Sequence, residues 1–255
     1  MAGFDTTLEA LPGMNIRTTL LQPINCSNCR MSALCMPLAL NSSEMELLEV
    51  VVKQNQPTHK GESVFHGGDS FEGIYAIRSG AIKTYCISSG GQEQITGFHL
   101  PGELFGWDGL YSQRHTNTAV ALETSALCSI PYTKLESLAR TIPDLQRYLM
   151  QLMSKEIGHD HQMITLLSKS SAEERVASFL VNLSDRLKRQ RLSPTTFRLP
   201  MSRAEIGNYL GLTVETVSRV FTRFQKQQLI SADKKEVNIL DLTGLRDLAL
   251  ACNDL

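Results

Sequence analysis

Glycine is concentrated in one stretch of this chain. Eleven of the seventeen glycines lie within residues 61–109, where they separate short apolar runs such as SVFH, GIYAI and AIKTYCI. Short apolar runs bounded by glycine are typical of antiparallel strands joined by tight turns. Similar runs continue to Pro131, and a helix is expected at 132–140. The sequence therefore predicts an antiparallel β-roll that is followed by a helix.

Two further helices are expected before and after this region. Residues 41–55 predict a short helix, with Ser42 or Ser43 as its N-terminal cap. A much longer helix is predicted to begin near Pro143, because proline is tolerated in the first turn of a helix.

Apolar residues recur along the long helix at steps of three and four, a spacing that can line the seam between two copies of a helix. The stripe also contains polar positions, and in such a seam Asp160 would approach its own counterpart and repel it. The alternative is a helix that lies across the roll with its polar residues in water. The seam positions that this spacing predicts are Leu149, Leu152, Glu156, Asp160 and Met163.

The last third of the chain has the pattern of a winged helix-turn-helix. Ser171-Ala-Glu-Glu and Ser202-Arg-Ala-Glu are capping boxes, each of which starts a helix. The second of these helices stops at Gly211, and another helix, VETVSRVFTRFQKQ, follows two residues later. A helix, a tight turn and a second helix that enters the major groove are typical of DNA-binding proteins. The segments 195–200 and 235–241 predict the short strands of the wing.

The last helix of this pair has two distinct faces when it is projected at 100° per residue. Its valines and phenylalanines cluster on one side and leave the opposite side free to reach bases, where arginine can bond guanine and glutamate can accept from cytosine. The alternative for Glu215 is a negative charge that only stabilises the N-terminus of the helix. The alternative for Arg219 is that it only pairs with Glu215, four residues earlier. The predicted DNA contacts are Glu215, Ser218, Arg219 and Thr222 on this face, Thr213 at its start, and Arg203, Arg223 and Lys226 nearby for phosphates.

Charge is divided unevenly along the chain. Residues 169–235 carry thirteen Lys or Arg and six Asp or Glu, a local charge of +7, although the whole chain sums to −1. A basic segment of this kind suggests a polyanionic partner, although solvated helix faces would give the same count. Together with the helix pair, it favours DNA binding.

The composition is that of an ordinary globular protein. Hydrophobic residues make up 42% and charged residues 20% of the 255 residues, enough for two modest domains. No run of eighteen apolar residues occurs, and the N-terminus lacks the basic head and apolar core of an export signal. These features predict a soluble, cytoplasmic α+β protein that does not contact a membrane.

Three of the six cysteines lie within ten residues, in the pattern Cys26-x2-Cys29-x5-Cys35, and a fourth, Cys128, is distant. Disulfides are not expected, because the cytosol keeps thiols reduced. Three thiolates from a loop and one from elsewhere can ligate an iron–sulfur cluster, and this spacing favours a cluster over zinc, which usually binds two short cysteine hairpins. Cys86 is predicted to be a small buried side chain in a strand.

Several longer segments of the chain resemble a known family. They are CSNCRMSALC at 26–35, YAIRSGAIK at 75–83, EQITGFHLPGELFGWD at 93–108, ALETSALCSIP at 121–131 and IGNYLGLTVETVSR at 206–219. On these motifs the chain resembles the fumarate and nitrate reduction regulator family, within the cyclic-AMP receptor protein superfamily, over nearly everything after residue 25.

The resemblance implies an oxygen sensor that regulates genes of anaerobic metabolism, as an activator or a repressor. It implies one oxygen-labile [4Fe–4S] cluster per subunit, with Cys26, Cys29, Cys35 and Cys128 as ligands, whose conversion to a [2Fe–2S] form loses both dimer and DNA. It also implies Ile157 as a seam residue, Asp160 as the acidic residue that opposes pairing, and an RNA polymerase contact at residues 88–92.

The resemblance further implies an arrangement on DNA. Glu215, Ser218 and Arg219 match the family's base-reading positions, which implies palindromic sites with TTGAT-like halves, read by two helices roughly 34 Å apart in a homodimer. We expect four segments: a flexible tail at 1–25, a sensory domain at 26–140, a dimerisation helix at 141–170 and a winged helix-turn-helix domain at 171–255.

Two other functions compete with this interpretation. A cyclic-nucleotide-responsive regulator would carry a Gly-Glu pair and a downstream Arg-Ser pair; Gly102-Glu103 is present, but Arg114 is followed by His-Thr. An iron–sulfur electron-transfer protein would have tighter cysteine spacing and a cysteine immediately before proline, whereas Met36 separates Cys35 from Pro37. No catalytic constellation is visible, so an enzyme is not expected.

Overall fold

The computed structural model describes Cys26, Cys29, Met31, Cys35 and residues 40–249. The tail predicted at 1–25 and Cys252 lie outside the described residues. Among the helices of the described part, none combines the length and apolar character needed to cross a membrane.

The predicted β-roll is confirmed as two four-stranded antiparallel sheets, with strand orders β1-β8-β3-β6 and β2-β7-β4-β5. Large side chains from both sheets, among them Phe65, Ile77 and Phe105, pack between them and are almost fully buried. Along the first four residues of β4, buried and partly buried positions alternate, as expected for a strand with one face in the core. The strands are β1 Lys53–Gln54, β2 Ser63–Phe65, β3 Gly73–Ser79, β4 Ile82–Ile87, β5 Glu93–His99, β6 Leu104–Phe105, β7 Thr118–Ala121 and β8 Ala126–Pro131.

Three helices accompany the roll in the described residues: α1 Ser42–Val51, α2 Tyr132–Thr141 and α3 Pro143–Lys169. The long helix does begin at Pro143, as predicted. The prediction of Ser42 or Ser43 as the cap of α1 was wrong. Asn41 is the cap, because its side chain accepts from the Glu44 amide while the Glu44 carboxylate accepts from the Asn41 amide.

The C-terminal part forms the predicted winged helix-turn-helix. Its helices are α4 Ala172–Arg189, α5 Arg203–Leu210, α6 Val214–Lys226 and α7 Leu242–Leu248. Both capping boxes form, at Ser171 and at Ser202. The wing is a sheet of order β10-β11-β9, in which β9 is Thr196–Arg198, β10 is Ile230–Asp233 and β11 is Glu236–Ile239. The sequence did not predict β10, because its four residues contain too few apolar positions to show alternation.

The helix-turn-helix region packs directly on the roll. Ile95, Phe98 and Leu100 belong to the same apolar core as residues of α4, α5 and α6. Strand β5, at the edge of its sheet, provides most of the roll's side of this contact.

Gly73 tests the close pairing of β3 with β8. A Cβ at this position would lie 2.2 Å from the carbonyl oxygen of Ile130, so an added methyl group must push the strands apart. We expect Gly73→Ala to lower the free energy of unfolding by about 1–3 kcal/mol, measured by urea denaturation. Gly90→Ala is the control, since its nearest neighbour is the Ser88 hydroxyl at 3.9 Å. Equal stability of the two variants would contradict this strand pairing.

Candidate metal centre and nucleic-acid interface

The structure brings the four predicted cysteine ligands into one region. Cys128 lies in β8, in register with Gln54 of β1. It lies close enough to the loop cysteines for their charges to act on one another. The Cys26 amide donates to the Glu49 carboxylate of α1 at 3.1 Å, and the Cys29 amide donates to the Cys26 carbonyl at 3.3 Å. All four cysteines are free thiols.

Burial and mutual proximity raise the pKa of three of these thiols, Cys26, Cys35 and Cys128. Burial raises the pKa of Cys26 to about 11, with Glu49, Cys128 and Cys29 adding to the rise. Burial also raises the pKa of Cys35 to about 12, and the negative charge of the other thiolates adds to this rise. The anionic thiolate form is therefore unfavourable at these three cysteines unless a positive charge compensates it.

The four cysteines do not form a closed metal site in this arrangement. Within the described residues, no three His, Cys, Asp or Glu side chains are placed so that they could hold a metal ion. Cys86 lies outside the group, in β4 as predicted, and is half-buried rather than buried.

The thiol region is packed against the helices of the roll. Cys26 belongs to an apolar group with Leu48 of α1, Leu135 of α2 and Leu145 of α3, and Cys35 lies against the same group. Trp107 of the roll also packs against this apolar group. The base of the long helix therefore forms one wall of the candidate metal centre.

The helix-turn-helix depends on two glycines. Gly211 ends α5 with φ +63°, a left-handed conformation that glycine adopts without a steric cost. A Cβ at Gly207 would lie 2.6 Å from the Leu212 carbonyl oxygen, so only glycine lets α5 pass this close to the turn. Thr213 then caps α6 by accepting from the Thr216 amide at 3.2 Å.

Helix α6 has the two faces that the sequence predicts. Its valine and phenylalanine side chains at 217, 220, 221 and 224 are buried. The opposite face is exposed and consists of Glu215, Ser218, Arg219 and Thr222. Hydrogen bonds from its own backbone and from Thr213 hold the pKa of Glu215 below its usual value, so this carboxylate is ionised and able to accept. Arg219 is exposed, and its charge also contributes to lowering the pKa of Glu215.

The two arginines predicted to contact phosphates have partners inside the domain. The Arg203 guanidinium lies over the Phe221 ring, 3.3 Å from its centroid, and burial lowers its pKa to about 10. Arg223 forms an ion pair with Glu173 of α4. The sequence pattern could not reveal these contacts, because each joins two different helices.

The exposed stripe of α3 overlaps in part with the predicted seam. Met150, Ile157 and Ile164 are 58%, 56% and 64% exposed and lie seven residues apart, and Asp160 is exposed between them. Of the other predicted seam residues, Leu149 packs against the apolar group of Cys26, Met163 packs on the C-terminal core, and Leu152 and Glu156 line a cavity. The exposure of Met150 and Ile164 could not be read from the spacing of apolar residues alone.

A cavity of about 1050 Å³ separates α3 and α4 from the roll and includes Glu103 in its lining. Both carboxylate oxygens of Glu103 accept from Arg186 of α4, at 2.8 and 2.5 Å. The carboxylate that a cyclic-nucleotide regulator would present to a ribose is therefore already engaged, which weakens the nucleotide alternative.

Comparisons with known proteins agree with this architecture. Residues 174–248 match the Crp-like helix-turn-helix domain, and residues 56–141 match the cyclic nucleotide-binding domain. The solved structure of FixK2 from Bradyrhizobium japonicum is 31% identical and superimposes with a TM-score of 0.71, covering 79% of this chain and 98% of that one.

Curated relatives match over most of their length. The transcriptional activator protein FnrA of Stutzerimonas stutzeri is 51% identical over 92% of this chain and 96% of its own. The activator Anr of Pseudomonas aeruginosa is 52% identical with the same coverage, and the fumarate and nitrate reduction regulatory protein of Escherichia coli is 47% identical over 89% of this chain and 90% of its own. The chain therefore belongs to the fumarate and nitrate reduction regulator family of Crp-like transcription regulators.

Proposed function

We propose that this regulator responds to oxygen through a [4Fe–4S] cluster, one per subunit, held by Cys26, Cys29, Cys35 and Cys128. With the cluster intact, the protein dimerises and binds palindromic promoter sites with TTGAT-like halves, where it activates or represses genes of anaerobic metabolism. The observation that carries the proposal is the packing of the thiol region against the first turns of α3.

The four thiols would be the cluster ligands, and their partial exposure would make the cluster sensitive to oxygen. Cys26 and Cys128 are buried, whereas Cys29 and Cys35 are only half-buried, so small molecules can reach one side of the centre. When bound, the cluster supplies an oxygen-labile bond between the cysteine loop and the roll. Held by these four cysteines, the cluster would link the loop that carries Cys26, Cys29 and Cys35 to Cys128 of β8, and a change in the cluster would alter that link.

The response is proposed to pass to the dimer helix through its first turns. Leu145 and Leu149 pack in the apolar group of Cys26. Burial raises the pKa of Tyr148 to about 12, and the charge of Cys35 adds to the rise, which places this phenol near the thiols. A change in the loop would therefore alter the packing of Leu145, Tyr148 and Leu149 in the first turns of α3.

Pairing of α3 with a second copy is proposed to use the exposed stripe. Met150, Ile157 and Ile164 repeat every seven residues, as the seam of a two-stranded coiled coil requires. Asp160 lies in this stripe and would face its counterpart, so the dimer is held close to its dissociation threshold. A modest shift at the base of the helix can then decide between monomer and dimer.

DNA reading is proposed for the exposed face of α6, with Arg219 bonding guanine and Glu215 accepting from cytosine. Ser218, Thr213 and Thr222 lie beside them, and Arg203 and Arg223 would exchange their internal partners for phosphates. The RNA polymerase contact is proposed at residues 88–92, an exposed turn between β4 and β5.

Protein purified without oxygen tests the metal centre directly. We expect a brown protein that contains iron and sulfide, bleaches in air and binds an operator only before bleaching. Cys128→Ala should lose the colour and at least about tenfold in operator affinity, which is about 1.4 kcal/mol. Cys86→Ala, a thiol in the same roll, should keep both. Zinc in place of iron, or full operator binding by Cys128→Ala, would disprove the proposed ligand set.

The exposed stripe of α3 is tested by two acidic residues four positions apart. Asp160→Ala removes the repulsion between the two Asp160 carboxylates. It should lower the dimer dissociation constant about fivefold, or about 1 kcal/mol, in sedimentation measurements made in air. Glu156→Ala should leave dimerisation unchanged, because Glu156 lines the cavity instead. A stronger dimer with Glu156→Ala alone would place the seam on the other face.

Base reading and phosphate binding are separated by two substitutions in α6. Arg219→Ala should cost about 1–3 kcal/mol on the operator and abolish the preference for the guanine that it reads, in anaerobic titrations with base-substituted sites. Lys226→Ala should weaken all sites equally and reduce the salt dependence by about one unit of slope. If Arg219→Ala behaves like Lys226→Ala, Arg219 contacts the backbone rather than a base.

A further inference from the structure

The DNA-binding region is fixed to the roll by a bidentate ion pair. Arg186 of α4 donates from Nε and Nη2 to the two carboxylate oxygens of Glu103, at 2.8 and 2.5 Å. Its Nη2 also donates to the Phe98 carbonyl at 2.6 Å, and Glu103 accepts from the Leu100 amide at 2.9 Å. The two side chains are only 14% and 28% exposed. Bidentate pairing of this kind fixes orientation as well as distance.

A second contact joins the first helix of the helix-turn-helix to the free edge of β5. The Asn208 side chain accepts from the Ile95 amide at 2.6 Å and donates to the Glu93 carbonyl at 2.8 Å. Gln94 donates from its side chain to the Asn208 carbonyl at 2.9 Å. An edge strand leaves such backbone groups unpaired, and Asn208 satisfies one donor and one acceptor as a neighbouring strand would.

Further contacts lie beside these two. The Phe98 ring packs edge-on against Phe179 of α4 and Tyr209 of α5, with centroids 6.1 and 5.1 Å away. Lys83 of β4 forms an ion pair with Glu205 of α5 at 3.2 Å. The contact is thus a packed interface built around β5.

The position of α6 determines what this interface does. The residues on its exposed face, Glu215, Ser218, Arg219 and Thr222, are all uncovered while α5 is docked on β5. An inhibitory contact would bury this face. The docked arrangement instead presents the face outward and holds it at one angle to the roll.

We propose that Asn208 and Arg186 are positioning residues for DNA reading: they dock the helix-turn-helix on strand β5 and so fix the spacing at which a dimer recognises two half-sites. The effect on spacing rests on the proposed function, whereas the docking itself does not. Neither side chain needs to contact DNA for its loss to change which operators are bound.

Docking is measured first without DNA, by hydrogen exchange of the Ile95 amide in the full-length protein. Asn208→Ala should raise its exchange rate at least about tenfold, because the amide loses its acceptor. Asn208→Asp should keep part of the protection, since it still accepts from Ile95 but no longer donates to Glu93. Arg189→Met, an exposed residue in the last turn of α4, is the control and should change nothing. Unchanged protection in Asn208→Ala would overturn the docking.

Operator binding is measured second, without oxygen, on sites whose half-sites are separated by the natural distance or by one or two extra base pairs. Asn208→Ala and Arg186→Met should bind the natural site about tenfold less tightly, while affinity for the altered sites falls less, so discrimination by spacing declines. Arg189→Met should discriminate as the wild type does. Tighter operator binding by Asn208→Ala, or unchanged discrimination in both variants, would overturn the positioning role.

Two further results distinguish a loss of positioning from misfolding, and distinguish failure of this inference from failure of the proposed function. Arg186→Met leaves the Glu103 carboxylate without its partner, so the double variant Arg186→Met/Glu103→Gln removes both charges; it should fold and still lose discrimination by spacing. A double variant that folds and discriminates normally counts against Arg186. If the wild type binds no operator, the proposed function fails, and exchange at Ile95 still decides whether the docking exists.

Discussion

Leu145 and Leu149 lie on the first turns of α3 and pack in the same apolar group as Cys26. One helix thus forms a wall of the thiol region at its start and carries the exposed apolar stripe along its length. Packed interiors respond to displacement by repacking rather than by gradual deformation. In the proposed function, a rearrangement of the cysteine loop would therefore reach the stripe through this one helix.

The acidic residues of the protein are used in two opposite ways. Glu103 is half-buried and bonded to Arg186, which outweighs burial and holds the pKa of Glu103 below its usual value. Asp160 is exposed, and a second copy of α3 would bring another Asp160 to meet it. The paired carboxylate fixes one part of the molecule to another, and the unpaired one keeps the proposed dimer weak. In the proposed function the weak dimer is essential, because a dimer that never dissociates could not respond to oxygen.

Local patterns predicted the parts of this structure that local forces determine. Glycine spacing predicted the roll, and the two capping boxes predicted the starts of α4 and α5. The thiol ligand set came from spacing and resemblance, and it stays a prediction. The seam on α3 also stays a prediction, because steps of three and four fit several stripes; burial separates Leu149 from Met150, which the spacing could not do. Asn208 was missed because its partners, such as Ile95, lie more than a hundred residues away and are backbone groups.

The helix-turn-helix is held at a second place, where α3 ends. The Arg175 guanidinium donates to the carbonyls of Leu167 and Ser170 at the end of α3 and to that of Leu210 at the end of α5, at 2.9, 3.0 and 3.0 Å. A cation suits these positions, since both helix ends carry unpaired carbonyls and partial negative charge. With α5 tied to α3 by Arg175 and to β5 by Asn208, two separate points determine the angle of α6. In the proposed dimer, pairing of α3 would then set where both α6 helices lie, because neither can turn without breaking one of these contacts.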